Sequence, residues 1–214
     1  MIRSFGGMSP KIHPTAFVSE AAYVVGGVEI GPYSSVWPGT IIRANNRRIV
    51  IGSYVDIQDN CMVHTDSDAW YGDYVTLGHH VICHAKTVET HVLIGNGATV
   101  NGDAEIGEFS IVASGAIVLE RVQVPPGSFI TGFVGKPEDI VRKTEERHHR
   151  QIRGVAEGYS RNGQRFKEEG LGDVPKEFLM PEDWLPTRPE SNVPHYQGFA
   201  RPVIPEGRPV RQPS

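Results

Sequence analysis

Three histidines, His64, His79 and His84, fall inside one repeating stretch of the chain, without the cysteine pair of a closed structural zinc site. Imidazole is the commonest biological metal ligand. Three imidazoles and one water leave a coordination position open, the arrangement of a metal that produces hydroxide near neutral pH. Neutral imidazoles, unlike thiolates, also leave the complex its full positive charge. Asp66, Asp68 and His80 are the titratable neighbours able to take up a proton, although each reads first as an ordinary solvated side chain. His91 reads as a corner residue of the repeat.

The elements that must position these histidines are set by a period of six. Aliphatic anchors recur at Val18, Val24, Ile30, Val36 and Ile42, resume at Ile51, Ile57 and Val63, continue through Leu77, Cys83 and Val88, and run on through Ile94, Val100, Ile106, Val112 and Val118. Six suits neither an amphipathic helix nor an alternating strand. It suits a parallel β-helix in which each hexad is a short strand and a turn, and three hexads make a triangular coil. Roughly six such coils fit between His13 and Ile130. Asn96-Gly97 and Asn101-Gly102 fall in phase and read as corners, not as the hairpin turns of a β-sandwich. No coil buries its apolar face alone, so the coils must stack.

The phase also orients the histidines. His64 follows anchor Val63 by one, and His84 follows Cys83 by one, so both hold the same place on successive coils. At an inter-strand spacing of about 4.8 Å, two such imidazoles can reach one metal. His79 lies one strand earlier around the triangle, and five extended residues span about 16 Å. Three prisms around a threefold axis would bring His79 of one chain to His64 and His84 of its neighbour.

Composition narrows the class further. The 214 residues carry a net charge of -4, which argues against a nucleic-acid surface. With 24 glycines and 16 prolines the chain favours turns over a helical bundle. The first residues form neither a secretory signal nor a membrane span. Cys61 and Cys83 sit at apolar positions as reduced thiols, which points to a cytoplasmic protein. The chain divides into a β-helix over 1–135, a helix over 136–170 and an extended proline-rich tail over 171–214. The helix is placed from Pro137 to about Gly170, with Ile140, Thr144, His148, Ile152, Val155 and Tyr159 on one packing face. His148 and His149 read as helix-surface residues. Nine prolines and the aromatics Phe178, Trp184, Tyr196 and Phe199 make the tail either a docked arm, on this subunit or a neighbour, or a disordered segment.

The stretch from about His13 to Lys143 resembles the γ-class carbonic anhydrase family of hexapeptide-repeat proteins. The resemblance lies in Val36-Trp37-Pro38-Gly39, Arg43-Ala44-Asn45, Ile57-Gln58-Asp59-Asn60 with Val63-His64, Gly78-His79-His80-Val81-Ile82-Cys83-His84, and Ile94-Gly95-Asn96-Gly97-Ala98. It implies a homotrimer of left-handed β-helices with zinc, iron or cobalt between subunits, hydrating carbon dioxide to bicarbonate through a metal-bound hydroxide. It puts His64, His79 and His84 on ligand positions and Gln58 beside the metal-bound solvent. Arg43 and Asp59 fall on positions of an ionic contact between subunits. The chain departs from the family pattern at Asn45 (usually aspartate), Ala85 (usually glycine) and Asp56 (often asparagine). Its loop Thr65 to Gly72 lacks the acidic insertion that carries a proton-shuttle glutamate, a lack that goes with weak hydration in the family. Two other functions share the fold: a metal-stabilised trimeric scaffold, and a hexapeptide acyltransferase using coenzyme A.

Overall fold

Because each hexad buries one aliphatic anchor, its two-residue strands stack in register along three columns. In the computed structural model, which describes residues 1–140 and 142–192, Ile57 pairs with Leu77, Leu77 with Ile94, Ile94 with Val112 and Val112 with Ile130, all parallel. A second column runs Val63, Cys83, Val100, Val118, Val134. The third runs Ile51, Tyr71, Val88, Ile106, Val124. The result is a left-handed parallel β-solenoid of about seven turns, one more than the anchor spacing predicts, followed by one α-helix. The extra length comes from the N-terminus, where Ile2–Arg3 pairs with Val24 and Val25, ahead of the first recognisable anchor.

Every predicted anchor is buried in one continuous core. Burying one such side chain contributes about 1.5–3 kcal/mol, and each coil supplies the apolar lid for the next. A second inward position lies two residues before most anchors, filled by Val55, Cys61, Val75, Val81, Val92 and Ala98. Tyr71 occupies the anchor site that the aliphatic pattern skips. It is fully buried, and its hydroxyl donates to Cys83 Sγ at 3.5 Å. Cys61 and Cys83 are both free and buried, and burial pushes their thiols up, Cys61 to about 12.

One corner departs from the expected glycine and asparagine. Tyr33, Tyr54, Tyr74, His91 and Phe109 all adopt φ between 56° and 57°. Left-handed backbone costs such residues roughly 1–2 kcal/mol each. Stacking offsets it: their rings form a ladder with centroids 5.1, 4.9, 4.8 and 4.8 Å apart, and aromatic pairs contribute about 0.5–1.5 kcal/mol beyond burial. His149 of the helix caps the ladder 4.8 Å from Phe109, and Arg153 lies over Tyr74.

His91 is thus a rung, and burial, with Arg153 and His149 facing it, pushes its imidazole down to about 4. A histidine depressed in the folded state is protonated first in the unfolded chain. Stability is therefore lost as pH falls from about 6.5 towards 4. Phe109 shows that phenylalanine fits the same corner, so His91→Phe should lose less melting temperature than the wild type over that window. Parallel melting curves for the two proteins would count against this.

The helix, α1 (Glu146–Glu168), starts nine residues later than Pro137. Pro137–Asp139 forms only a 3₁₀ turn, stapled by Asp139 Oδ2 accepting from the amides of Gly135 and Lys136. The chain then stays extended because the last coil claims its backbone. Phe129 N donates to Arg142 O, Thr144 N donates to Gly127 O, and Lys143 bridges Ser128. The buried stripe of α1 is Ile152, Ala156, Ser160 and Gly163; Ile152 belongs to the predicted face, whereas Val155 and Tyr159 of that face are only half-buried. Small residues let the helix lie close: a Cβ on Gly163 would stand 3.2 Å from the side chains of Phe17 and Ser35. His149 is also more than a surface residue, since its Nε2 lies 3.1 Å from Thr144 Oγ1.

After α1 the proline-rich arm docks on its own subunit. Gly172 bridges Ser19 and Leu179 bridges Ile12. Glu182 O lies 2.9 Å from His13 Nε2, and Arg188 forms a two-pronged ion pair with Glu89. Phe178 is buried in the core. Tyr196 and Phe199 lie outside the described residues.

Candidate metal centre

His64 ends the strand Met62–His64, and His84 directly follows Ile82–Cys83. Since Val63 pairs with Cys83, the two imidazoles are brought to the same corner, with ring centroids 5.0 Å apart and planes at 80°. His64 Nδ1 lies 2.6 Å from Arg43 O. A carbonyl only accepts, so Nδ1 carries the proton and the neutral ring presents the Nε2 lone pair outward. Gly102 clears room for the second ring, because a Cβ there would lie 3.2 Å from His84 Nδ1. Asp66 completes the group. Its oxygens stand 3.7 Å from His64 Nε2 and 3.8 Å from His84 Nε2.

His79 sits at another corner, after the strand Thr76–Leu77. Its Nδ1 lies 2.9 Å from Asp59 Oδ2, so the carboxylate orients the ring and leaves Nε2 as the acceptor. That nitrogen is 3.4 Å from Tyr159 Oη, and the Asn96 side chain accepts from the His79 amide. His79 shares a cleft with Gln58, Thr76, Leu93, Ser114 and Tyr159. Gln58 is buried, and its Nε2 donates to Asp56 Oδ2 at 3.3 Å, while Thr76 Oγ1 donates to Asp56 Oδ1 at 3.0 Å. Burial nevertheless pushes the Asp56 carboxyl up to about 7, against the lowering effect of those two bonds.

One protomer thus joins His64 to His84, and His79 to Gln58 and Asp59, on different faces of the prism. The donor chemistry fits a metal ligand at each corner, since His64 and His79 each spend Nδ1 on an acceptor and present Nε2. Arg43 and Asp59 form no ion pair with each other among the described residues. The Arg43 guanidinium donates to Asn45 Oδ1 at 3.0 Å. Of the proton-transfer candidates, Asp66 faces the histidine pair, Asp68 is tied to the amide of Arg48, and His80 is an exposed corner residue with φ 58°. Tyr159 escaped selection as a site residue. The sequence places Tyr159 only on the packing face of the helix, and its ring meets Trp37 edge-on with centroids 5.5 Å apart.

No protein-family model matches the chain. A carbonic anhydrase of Geobacillus kaustophilus is 34% identical over 78% of this chain and 91% of its own. A probable carbonic anhydrase of Methanocaldococcus jannaschii is 38% identical over 66% and 89%. Arabidopsis thaliana γ carbonic anhydrase 2, mitochondrial, is 30% identical over 89% of this chain and 82% of its own. The chain belongs to the γ-class carbonic anhydrase family. A Bacillus cereus structure titled putative acetyltransferase superposes with a TM-score of 0.72 at 30% identity, over 79% of this γ-class chain and 98% of that one. Among its described residues no helix is long and apolar enough to cross a membrane.

Proposed function

We propose that the protein is a metal-dependent hydratase that converts carbon dioxide to bicarbonate. In this reading it works as a homotrimer, with each site formed by His64 and His84 of one protomer and His79 of the next. The observation that carries this is the pairing of imidazoles whose Nδ1 atoms are already committed, to Arg43 O and to the Asp59 carboxylate. A divalent zinc, iron or cobalt ion held there would supply Lewis acidity and lower the pKa of bound water towards about 7.

The remaining work falls to the chain. Asp59 holds the His79 ring so that only Nε2 is offered. Asp56 accepts from Gln58 Nε2, which leaves the Gln58 carbonyl oxygen uncommitted to Asp56, and Gln58 lines the cleft that holds His79. There it can accept a hydrogen bond from a water hydrogen and orient the oxygen lone pair towards carbon dioxide. Leu93, Ile94 and Val155 give the cleft an apolar wall suited to a non-polar gas. The Arg43–Asn45 hydrogen bond keeps the Arg43 side chain at the edge where a neighbour would meet it.

A second reading is favoured by one contact. A carboxylate–imidazole pair at 2.9 Å is also the base of an acyltransferase, where a single histidine suffices. Stopped-flow hydration with added zinc, cobalt or ferrous iron, run beside acetyl-coenzyme A turnover on an amine panel, separates them. Saturable, metal-dependent hydration is expected. Turnover of the thioester alone would replace the hydratase by the transferase, and silence in both assays would leave a metal-stabilised scaffold.

A further inference from the structure

The proline-rich arm ends, within the described residues, against the loop that carries Asp66. Asn192 is fully buried and makes three contacts that no helix or strand provides. Its Nδ2 donates to Asp68 O at 3.2 Å and to Lys86 O at 2.6 Å, and its Oδ1 accepts from Thr87. Ser191 Oγ donates to Asp68 Oδ2 at 3.2 Å, while Asp68 Oδ1 accepts from Arg48 N at 2.9 Å. Asp68 is therefore gripped from both sides, and Ser67 Oγ is tied to Asp103 at 3.2 Å. The Asp66 side chain, itself 86% exposed and held by no other partner than the two rings among the described residues, is left beside His64 and His84.

Donors that share one tetrahedral ion at about 2.1 Å lie roughly 3.4 Å apart. The Asp66 oxygens stand 3.7 and 3.8 Å from the two Nε2 atoms. We infer that Asp66 is a carboxylate donor to the cation held by His64 and His84, and that Asn192 is the positioning residue that keeps it there. The inference rests on the metal reading above and adds an oxygen ligand from the same chain, placed by the C-terminal arm; the reacting water would then need a fifth position, which catalytic zinc sites can supply. An oxygen donor makes the site harder than three imidazoles alone and favours cobalt, iron or manganese more than an all-nitrogen set would.

The test is cobalt(II) binding by the full chain, followed by its visible absorption, which changes with coordination number and donor type. Asp66→Ala, at an exposed position, should weaken cobalt binding about 10–100-fold and alter the spectrum, and Asn192→Ala about tenfold. In the Asp66→Ala background, Asn192→Ala should add nothing, because Asn192 acts through Asp66. A purely structural Asn192 would instead lower affinity equally in both backgrounds. Thr87→Val, which removes one Asn192 contact and keeps the shape, gives a milder version of the same effect. Unchanged cobalt affinity and spectrum in Asp66→Ala would overturn the donor role, and additive losses would overturn the positioning role. His64→Ala separates the layers: if it too leaves cobalt binding untouched, the metal reading fails, not merely this extension of it.

Discussion

Alanine at His79 is expected to empty the metal site of the assembled protein, although His64 and His84 keep their places. The third imidazole comes from another subunit in the proposed trimer, so its loss leaves each cation with the donors of a single chain. Metal content after gel filtration should fall from about one ion per chain to near zero, and hydration to the uncatalysed rate. The shared geometry allows a sharper experiment. His79→Ala retains the His64–His84 pair, and His64→Ala retains His79. Neither variant alone should bind metal firmly. Mixed and reassembled, they regenerate some intact interfaces, so both metal and activity should partly return. No recovery on mixing, with both variants folded and reassembled, would mean that the three histidines do not meet across a subunit boundary.

Asp56→Asn should stabilise the protein above neutral pH. The Asp56 carboxyl is buried beneath Gln58 and is pushed up to about 7 from an ordinary value near 3.8. Its folded form therefore holds a proton that the unfolded chain has released, and stability falls as pH rises through that interval. The full cost on ionisation is on the order of a few kcal/mol. An asparagine has no charge to bury and can still accept from Gln58 through its carbonyl oxygen. The variant's melting temperature should exceed that of the wild type at pH 8 and converge with it near pH 4. The His91 effect runs the opposite way over an overlapping range, so the unmodified protein shows a flatter profile than either group alone. A variant no more stable at pH 8 than at pH 4, relative to the parent, would show that Asp56 is not ionised under strain.

Much of this was legible in the residues because a solenoid converts linear phase into position. The interval between Val63 and Cys83 is one coil plus a small insertion, so the neighbours His64 and His84 had to share a corner. The same arithmetic kept His79 away from them. It failed where a side chain broke its own class. Tyr71 was invisible as an anchor because the pattern sought aliphatic residues, and the ladder from Tyr33 to Phe109 was invisible because left-handed corners favour glycine. In both places stacking or a buried hydroxyl contact compensates for the irregular choice, and that compensation is a property of neighbouring coils.

The amino-acid order alone determined the coil, the inward face and the assignment of histidines to corners, since each follows from local period and from the need to bury an apolar anchor every six residues. The helix boundary was decided by the fold. Residues Arg142 to Thr144 could have joined a helix, but the open edge of the last coil offered them hydrogen bonds first. The arm was decided the same way. Nothing in a proline-rich segment says which surface it will meet, and only the completed prism presents Lys86, Thr87 and Asp68 to Asn192 at once. Contacts between residues more than a hundred positions apart depend on the full three-dimensional packing, which no local pattern encodes.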